Sequence, residues 1–281
     1  MTDTQNEVFK TPVNKIRLFE HGAPGSQNLK LTRKYYTEDM PDGRVKHIVQ
    51  NITDPDIVPY IPDGIGNSTD RQRIPAVLII PGGAFRRLVY NFEGEDVAKW
   101  LNSMGIAAFV LECRLPSDEH DNAEDVPLID AMRAMRVIRG RAQEFGIDEA
   151  KIGVMGFSAG GFMAALLSTA YESDVYADYK YKDEYDKLSA RPDFAVCSYP
   201  VISIDDCIEA GKRYMSEEQV LERISDSKAK ILHKYNPDNL RKPDRIIVII
   251  CETEDDRPTL SEKSVGFYMA ARKAGVSAEL H

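Results

Sequence analysis

Residues 151–161 read KIGVMGFSAGG, and the order of residue types in them decides how the rest of the chain is read. The run 151–155 has the apolar, β-branched character of a buried strand. It leads directly into Gly156-Phe157-Ser158-Ala159-Gly160-Gly161 and then into a small-residue helix expected over 159–170. Strand, glycine turn and helix form the context that gives a G-x-S-x-G pattern its meaning. Such a turn strains the serine backbone and carries Oγ out at the edge of a sheet, where a nucleophile has to sit. The competing readings are a plain βα turn or a phosphate cradle at a helix N-terminus, but neither G-x-G-x-x-G nor a Walker pattern occurs in the chain.

Working outward, short apolar runs alternate with amphipathic stretches from Pro75 onward, the pattern of βαβ units around a parallel sheet. Strands are expected at 76–80, 106–112, 194–199 and 245–251. One helix is expected over 93–104, with Val97, Trp100, Leu101 and Met104 on one apolar face. A second is expected over 128–145, with Leu128, Met132, Met135 and Ile138 inward and several arginines in solvent, and a third over 260–274. Upstream, 1–25 reads as an irregular arm, 29–37 and 44–52 as edge strands, and the proline- and glycine-rich 54–74 as loop. The Tyr-, Asp- and Lys-rich stretch 171–190 reads as a solvated excursion, and the charged, helix-prone 204–235 as a cap-like insertion over a site. The whole of 1–281 is expected to form a single α/β domain.

Composition narrows the partners. The formal charge of −9 argues against nucleic acid, whose affinity rests on neutralising phosphates with Lys and Arg. Cys113, Cys197, Cys207 and Cys251 form no CxxC pair and read as buried thiols of a reducing compartment. The N-terminal residues lack the blocks of a signal peptide, and no apolar run reaches the ~20 residues of a membrane span. The expectation is a cytoplasmic protein with a small-molecule partner and no membrane contact; oligomeric state stays open, a homo-oligomer included.

Two further stretches complete the chemistry. Pro81-Gly82-Gly83-Ala84-Phe85 follows the first buried strand, where a glycine-rich loop can aim the N–H of Gly83 or Ala84, together with that of Ala159, at a tetrahedral oxyanion. Asp255-Asp256 follows the strongly apolar strand 245–251, and a carboxylate there can orient an imidazole in the chain order Ser, Asp, His. Acyl transfer by such a set needs no metal or organic cofactor.

These residues resemble the acetyl esterase or acetylxylan-esterase-like branch of the α/β-hydrolases, whose members deacetylate sugars and xylan fragments. The resemblance runs from His21 to the end, through PGGAF, EGEDVAKWLNSMGIAAFVLECRLP, GFSAGG, RPDFAVCSYPVIS and EDDRPTLSEKSVGFYMAARKAGVSAELH, in family order and spacing. It implies an α/β-hydrolase fold: a mostly parallel central sheet flanked by helices, with a small helical cap. It also implies hydrolysis of short-chain, chiefly acetyl, esters on sugars or xylo-oligosaccharides through an acyl-enzyme, and it favours Asp256 over Asp255 as the triad acid. Departures from the family pattern are Ala84 in place of a third glycine, Phe92 and Glu252 in place of histidines, and Pro258 earlier than the usual Val-Pro.

A serine hydroxyl needs a general base, and in this order the base is a histidine after the last strand. His21, His47, His120 and His233 all precede Asp256. His281 follows it, but the resemblance places it in an Glu-Leu-His strand whose side chain is not the base, which leaves it a candidate only if the register is shifted. The expectation is therefore that the last strand, the histidine loop and a final helix are missing, that the chain is a fragment of a longer enzyme, and that the 281 residues as they stand are catalytically crippled for want of a base. A natural truncation and a non-catalytic relative that binds a carbohydrate or ester are the alternatives.

Overall fold

The computed structural model of the protein describes residues 9, 12–65, 73–201, 212, 216, 218–219, 231–232, 234–235, 247–251 and 261–281. Its strands in chain order are β1 (Ile16–Arg17), β2 (Lys34–Asp39), β3 (Val45–Gln50), β4 (Asp56–Tyr60), β5 (Ile74–Ile80), β6 (Leu88–Val89), β7 (Ala107–Glu112), β8 (Ile147–Phe157), β9 (Phe194–Ser198), β10 (Ile247–Cys251) and β11 (Ser277–Leu280). The helices are α1 (Asp96–Ser103), α2 (Val126–Gly140), the short α3 (Ala142–Phe145), α4 (Ala159–Ala170) and α5 (Ser261–Lys273).

Eight strands form one sheet in the order β1-β4-β7-β5-β8-β9-β10-β11, antiparallel only at the β1–β4 and β4–β7 pairs. β5 and β7 are apolar almost throughout and buried along most of their length, as strands covered on both faces must be. The connection from β5 through α1 moves to β7 on one side, whereas β7 through α2 returns past β5 to β8. Right-handed crossovers therefore put α1 and α2 on opposite faces. The direction of winding switches between β5 and β8, and a crevice opens beyond the C-terminal ends of parallel strands at such a switch point. The loops leaving those two strands are the Pro81–Phe85 loop and the Ser158 turn. A separate three-stranded antiparallel sheet, β2-β3-β6, sits beside them. No helix among the described residues is long and apolar enough to cross a membrane.

Several expectations need correction. The segment 54–74 is not all loop, because β4 lies within it with Ile57 and Val58 buried. Pro59 is tolerated there because β1 pairs only with Asp56 and Ile57, so the outer side of β4 at Pro59 has no ladder to lose. The arm 1–25 is not wholly irregular either: it supplies β1, and its Leu18 and Phe19 are buried. On the helix expected over 93–104, residues 91–95 form a π-helical turn, and Ala98 and Leu101 face inward while Trp100 and Met104 are exposed. The excursion 171–190 is not free in solvent but packs on α2, so Arg133 is buried against Asp183 and Asp186. The stretch read as a Glu-Leu-His strand is a strand as expected, Ser277–Leu280, parallel to β10, and the His281 N–H extends that ladder to the Ile250 carbonyl at 2.8 Å. Most of the cap expected at 204–235 lies outside the described residues. Its end is described: Ile231 and Leu232 are buried, and Lys234 and Tyr235 both reach Asp125 at the start of α2.

Candidate active site

The turn from β8 into α4 places Ser158 at φ 52° and ψ −115°, a region that costs a non-glycine residue about 1–3 kcal/mol. Its surroundings over-determine it. The Ser158 N–H donates to the Ser198 carbonyl at 3.0 Å, and the Ser158 carbonyl accepts from Phe162 at 3.0 Å and Val201 at 3.2 Å. A Cβ on Gly156 would stand 2.0 Å from the Gly160 carbonyl oxygen, and one on Gly160 would stand 2.0 Å from that of Ile80. The glycines of G-x-S-x-G are thus required because backbone crosses backbone. Ala159 is the first residue of α4, so its N–H has no partner within the helix and points from the positive end of the helix dipole.

The loop after β5 meets this turn. Gly83, Ala84 and Phe85 all take positive φ, at 143°, 58° and 61°, and the Gly83 carbonyl closes the loop by accepting from the N–H groups of Arg86 and Arg87. A Cβ on Gly82 would come within 2.4 Å of the Phe157 carbonyl oxygen and 3.2 Å of the Ser158 Cβ, so the loop lies directly on the Ser158 turn. Gly83 and Ala159 line one cleft together with Ile80, Leu115 and Met163, whereas Ala84 is exposed and does not line it. Of Gly83 and Ala84, the alternatives read from the sequence, Gly83 is the one that lines the cleft with Ala159.

One residue that the sequence reading did not single out binds these loops together. Glu93, on the π-helical turn before α1, accepts from the Gly82 N–H at 2.8 Å and from the Tyr199 hydroxyl at 3.1 Å. Its only signal in the sequence was a carboxylate beside Gly94 at the head of an amphipathic helix.

Asp255, Asp256 and His233 lie outside the described residues. β10 runs parallel to β9, so the chain leaves it at the same sheet edge as the Ser158 turn. His281 also ends at that edge but three strands from β8, on the order of 14 Å at ~4.8 Å per strand, and its exposed imidazole pairs with Glu279 at 3.1 Å. His47 sits in β3 and stacks on Phe9, and His21 packs against Tyr181. His120 is buried against Ser26 at 3.0 Å, where burial and then the neighbouring Arg114 push its pKa down to about 4. None of these four is brought to Ser158.

The BD-FAE family model matches residues 65–270, which contain the Pro81–Phe85 loop, the Ser158 turn and Asp256. This chain belongs to the BD-FAE family. Among relatives of this BD-FAE chain is an acetylxylan esterase of Xylanibacter ruminicola, 29% identical over a match that takes in 71% of this chain and 38% of that protein. An endo-1,4-beta-xylanase B of Butyrivibrio fibrisolvens is 35% identical over 48% of this chain and 20% of its own length. The chain thus spans about two-fifths and one-fifth of these two proteins. Among solved structures, an acetyl ester-xyloside bifunctional hydrolase from Caldicellulosiruptor lactoaceticus is 32% identical, with a TM-score of 0.65 over 96% of this chain and 85% of that one. A propionate-bound esterase from Thermogutta terrifontis, 22% identical with a TM-score of 0.61 over 92% of this chain and 82% of its own, shares the α/β-hydrolase fold. The relatives named for an activity on esters are carboxylic ester hydrolases.

Proposed function

We propose that this protein is a carboxylic ester hydrolase that removes short acyl groups, chiefly acetyl, from sugars or xylo-oligosaccharides through an acyl-enzyme. The observation that carries the reading is Ser158, held at positive φ on a strand-to-helix turn beneath a glycine loop. In this reading Ser158 Oγ bonds to the ester carbonyl carbon as its proton passes to a histidine oriented by Asp256. The N–H groups of Ala159 and Gly83 hold the oxyanion. Collapse of the tetrahedral adduct breaks the bond to the alcohol oxygen, which takes the proton, and water then releases the acid by the same route. The substrate class rests on the acetylxylan esterase and acetyl ester-xyloside hydrolase relatives.

The test compares hydrolysis of p-nitrophenyl acetate, a long-chain p-nitrophenyl ester and acetylated xylo-oligosaccharides by the protein and by Ser158→Ala. In protein that carries the triad histidine, the expected outcome is acetate faster than the long-chain ester, sugar deacetylation, and a loss in kcat on the order of 10⁵ or more in the variant. Tight binding of the acetylated sugar without turnover would instead make the protein a binding relative. Long-chain esters cleaved fastest would overturn the short-acyl reading.

A further inference from the structure

We infer that Glu93 is a positioning residue of the ester-hydrolysis site, a carboxylate clasp that sets the oxyanion loop against the nucleophile turn; the inference rests on the function proposed above. Two segments separated widely in the chain converge on it, and a third lies against one of them. The Gly82 N–H belongs to the loop after β5, and the Tyr199 hydroxyl belongs to the loop after β9, whose preceding residue, Ser198, accepts the Ser158 N–H. The Ser158 turn is the third: both the Glu93 Oε2 and the Ser158 Cβ lie within 3.2 Å of where a Gly82 Cβ would stand. Tyr199, like Ser158, is held at positive φ, so the β9 loop too is fixed in a conformation that needs support from neighbours.

Glu93 is itself rigidly placed. The π-helical turn that carries it, Asn91–Glu95, is clamped to β3, because the Asn91 side chain accepts from the His47 N–H at 2.9 Å and donates to the Val45 carbonyl at 2.8 Å. Next to it, a Cβ on Gly94 would stand 3.0 Å from Val110 and 3.4 Å from Pro81, so the turn presses on the first residue of the oxyanion loop. π-Helical turns within helices recur at functional sites because the extra residue re-aims a side chain, here toward two donors. With Gly82 N–H engaged by the carboxylate, the next peptide is oriented, and that peptide carries Gly83 along the cleft it lines with Ala159. The clasp therefore acts on the reaction through Gly83, not by touching substrate.

Glu93→Gln keeps the shape but offers one acceptor oxygen to two donors. In the purified protein, amide exchange of residues 82–88 is expected to quicken about tenfold or more in Glu93→Gln while α4 keeps its protection. On an acetyl ester kcat is expected to fall about 10–100-fold with KM within about threefold, the split left by loss of a group that acts on the transition state. Tyr199→Phe is expected to lose only a few-fold, and the double variant to be no worse than Glu93→Gln, since both act through one clasp. Unchanged exchange in the loop, or an unchanged kcat, would overturn the inference. If the unsubstituted protein hydrolyses no ester while the loop still loosens in Glu93→Gln, the proposed function falls and the clasp stands.

Discussion

Around Ser158 the chain is held backbone against backbone, whereas the face of α2 is held by charged side chains whose partners come from far away in the sequence. At the turn, Gly156 and Gly160 bring carbonyls to where a side chain would begin. On the α2 side, Arg114 and Asp130 form a fully buried pair, with Arg114 Nη2 2.7 Å from the carboxylate, and Arg114 also donates to Ser26 Oγ, the partner of His120. Farther along α2, Arg133 meets Asp183 and Asp186, and Arg139 donates to the Ser189 and Arg191 carbonyls. The first kind of constraint is written into the residue itself. The second exists only once two distant segments have met.

The comparison can be broken by substitutions on either side, beginning with the largest expected effect. Asp130→Ala leaves the Arg114 guanidinium buried without its carboxylate and is expected to cost about 3–5 kcal/mol, read from urea unfolding. Arg114→Met combined with Asp130→Leu is expected to recover part of that loss, since the two apolar side chains need no partners while the N–H of residue 114 still loses its acceptor; a double variant as unstable as Asp130→Ala would contradict this account. Gly160→Ala forces a methyl against the Ile80 carbonyl and is expected to cost about 3 kcal/mol and abolish turnover, because the Ser158 turn must move.

Smaller effects sharpen the same contrast. Gly266, exposed on α5 with nothing within 4 Å of a built Cβ, is expected to gain about 0.5–1 kcal/mol on substitution by Ala, and a loss there would show that crowding is not what separates the two glycines. His120 supplies a pH signature of the polar network. Its folded pKa of about 4 lies below the unfolded 6.5, so the unfolded chain binds the proton first and stability from this group is lost as pH falls from about 6.5 to 4, with no further loss below. The difference in Tm between the protein and His120→Gln is therefore expected to shrink between pH 7 and pH 5. A constant difference would place the proton elsewhere.

The same division explains what could be read from the sequence. Strands β5, β7, β8, β9 and β10 were legible because they are continuous apolar runs, and the Ser158 turn because its glycines have no substitute. Strand β4 was hidden by Pro59, which is harmless only because β1 stops short of it. The burial of 171–190 on α2 was hidden because arginine and aspartate read as solvated until each is known to face the other. Trp100 and Met104 fit the helical period yet point outward, since a period fixes the spacing of a face and not which face is covered. Glu93 escaped notice for a related reason: its two donors, Gly82 and Tyr199, carry no residue-type signal for a carboxylate partner.

The central claim is that Ser158 is an activated nucleophile, and covalent labelling tests it most directly. Protein that carries the triad histidine is incubated with a fluorophosphonate probe, and the adduct is located by intact mass and peptide mapping, alongside Ser158→Ala. The expected result is one adduct per chain, on the peptide containing Ser158, lost in the variant and slowed by an acetylated xylo-oligosaccharide. An unlabelled protein, or an adduct that persists in Ser158→Ala, would contradict the account.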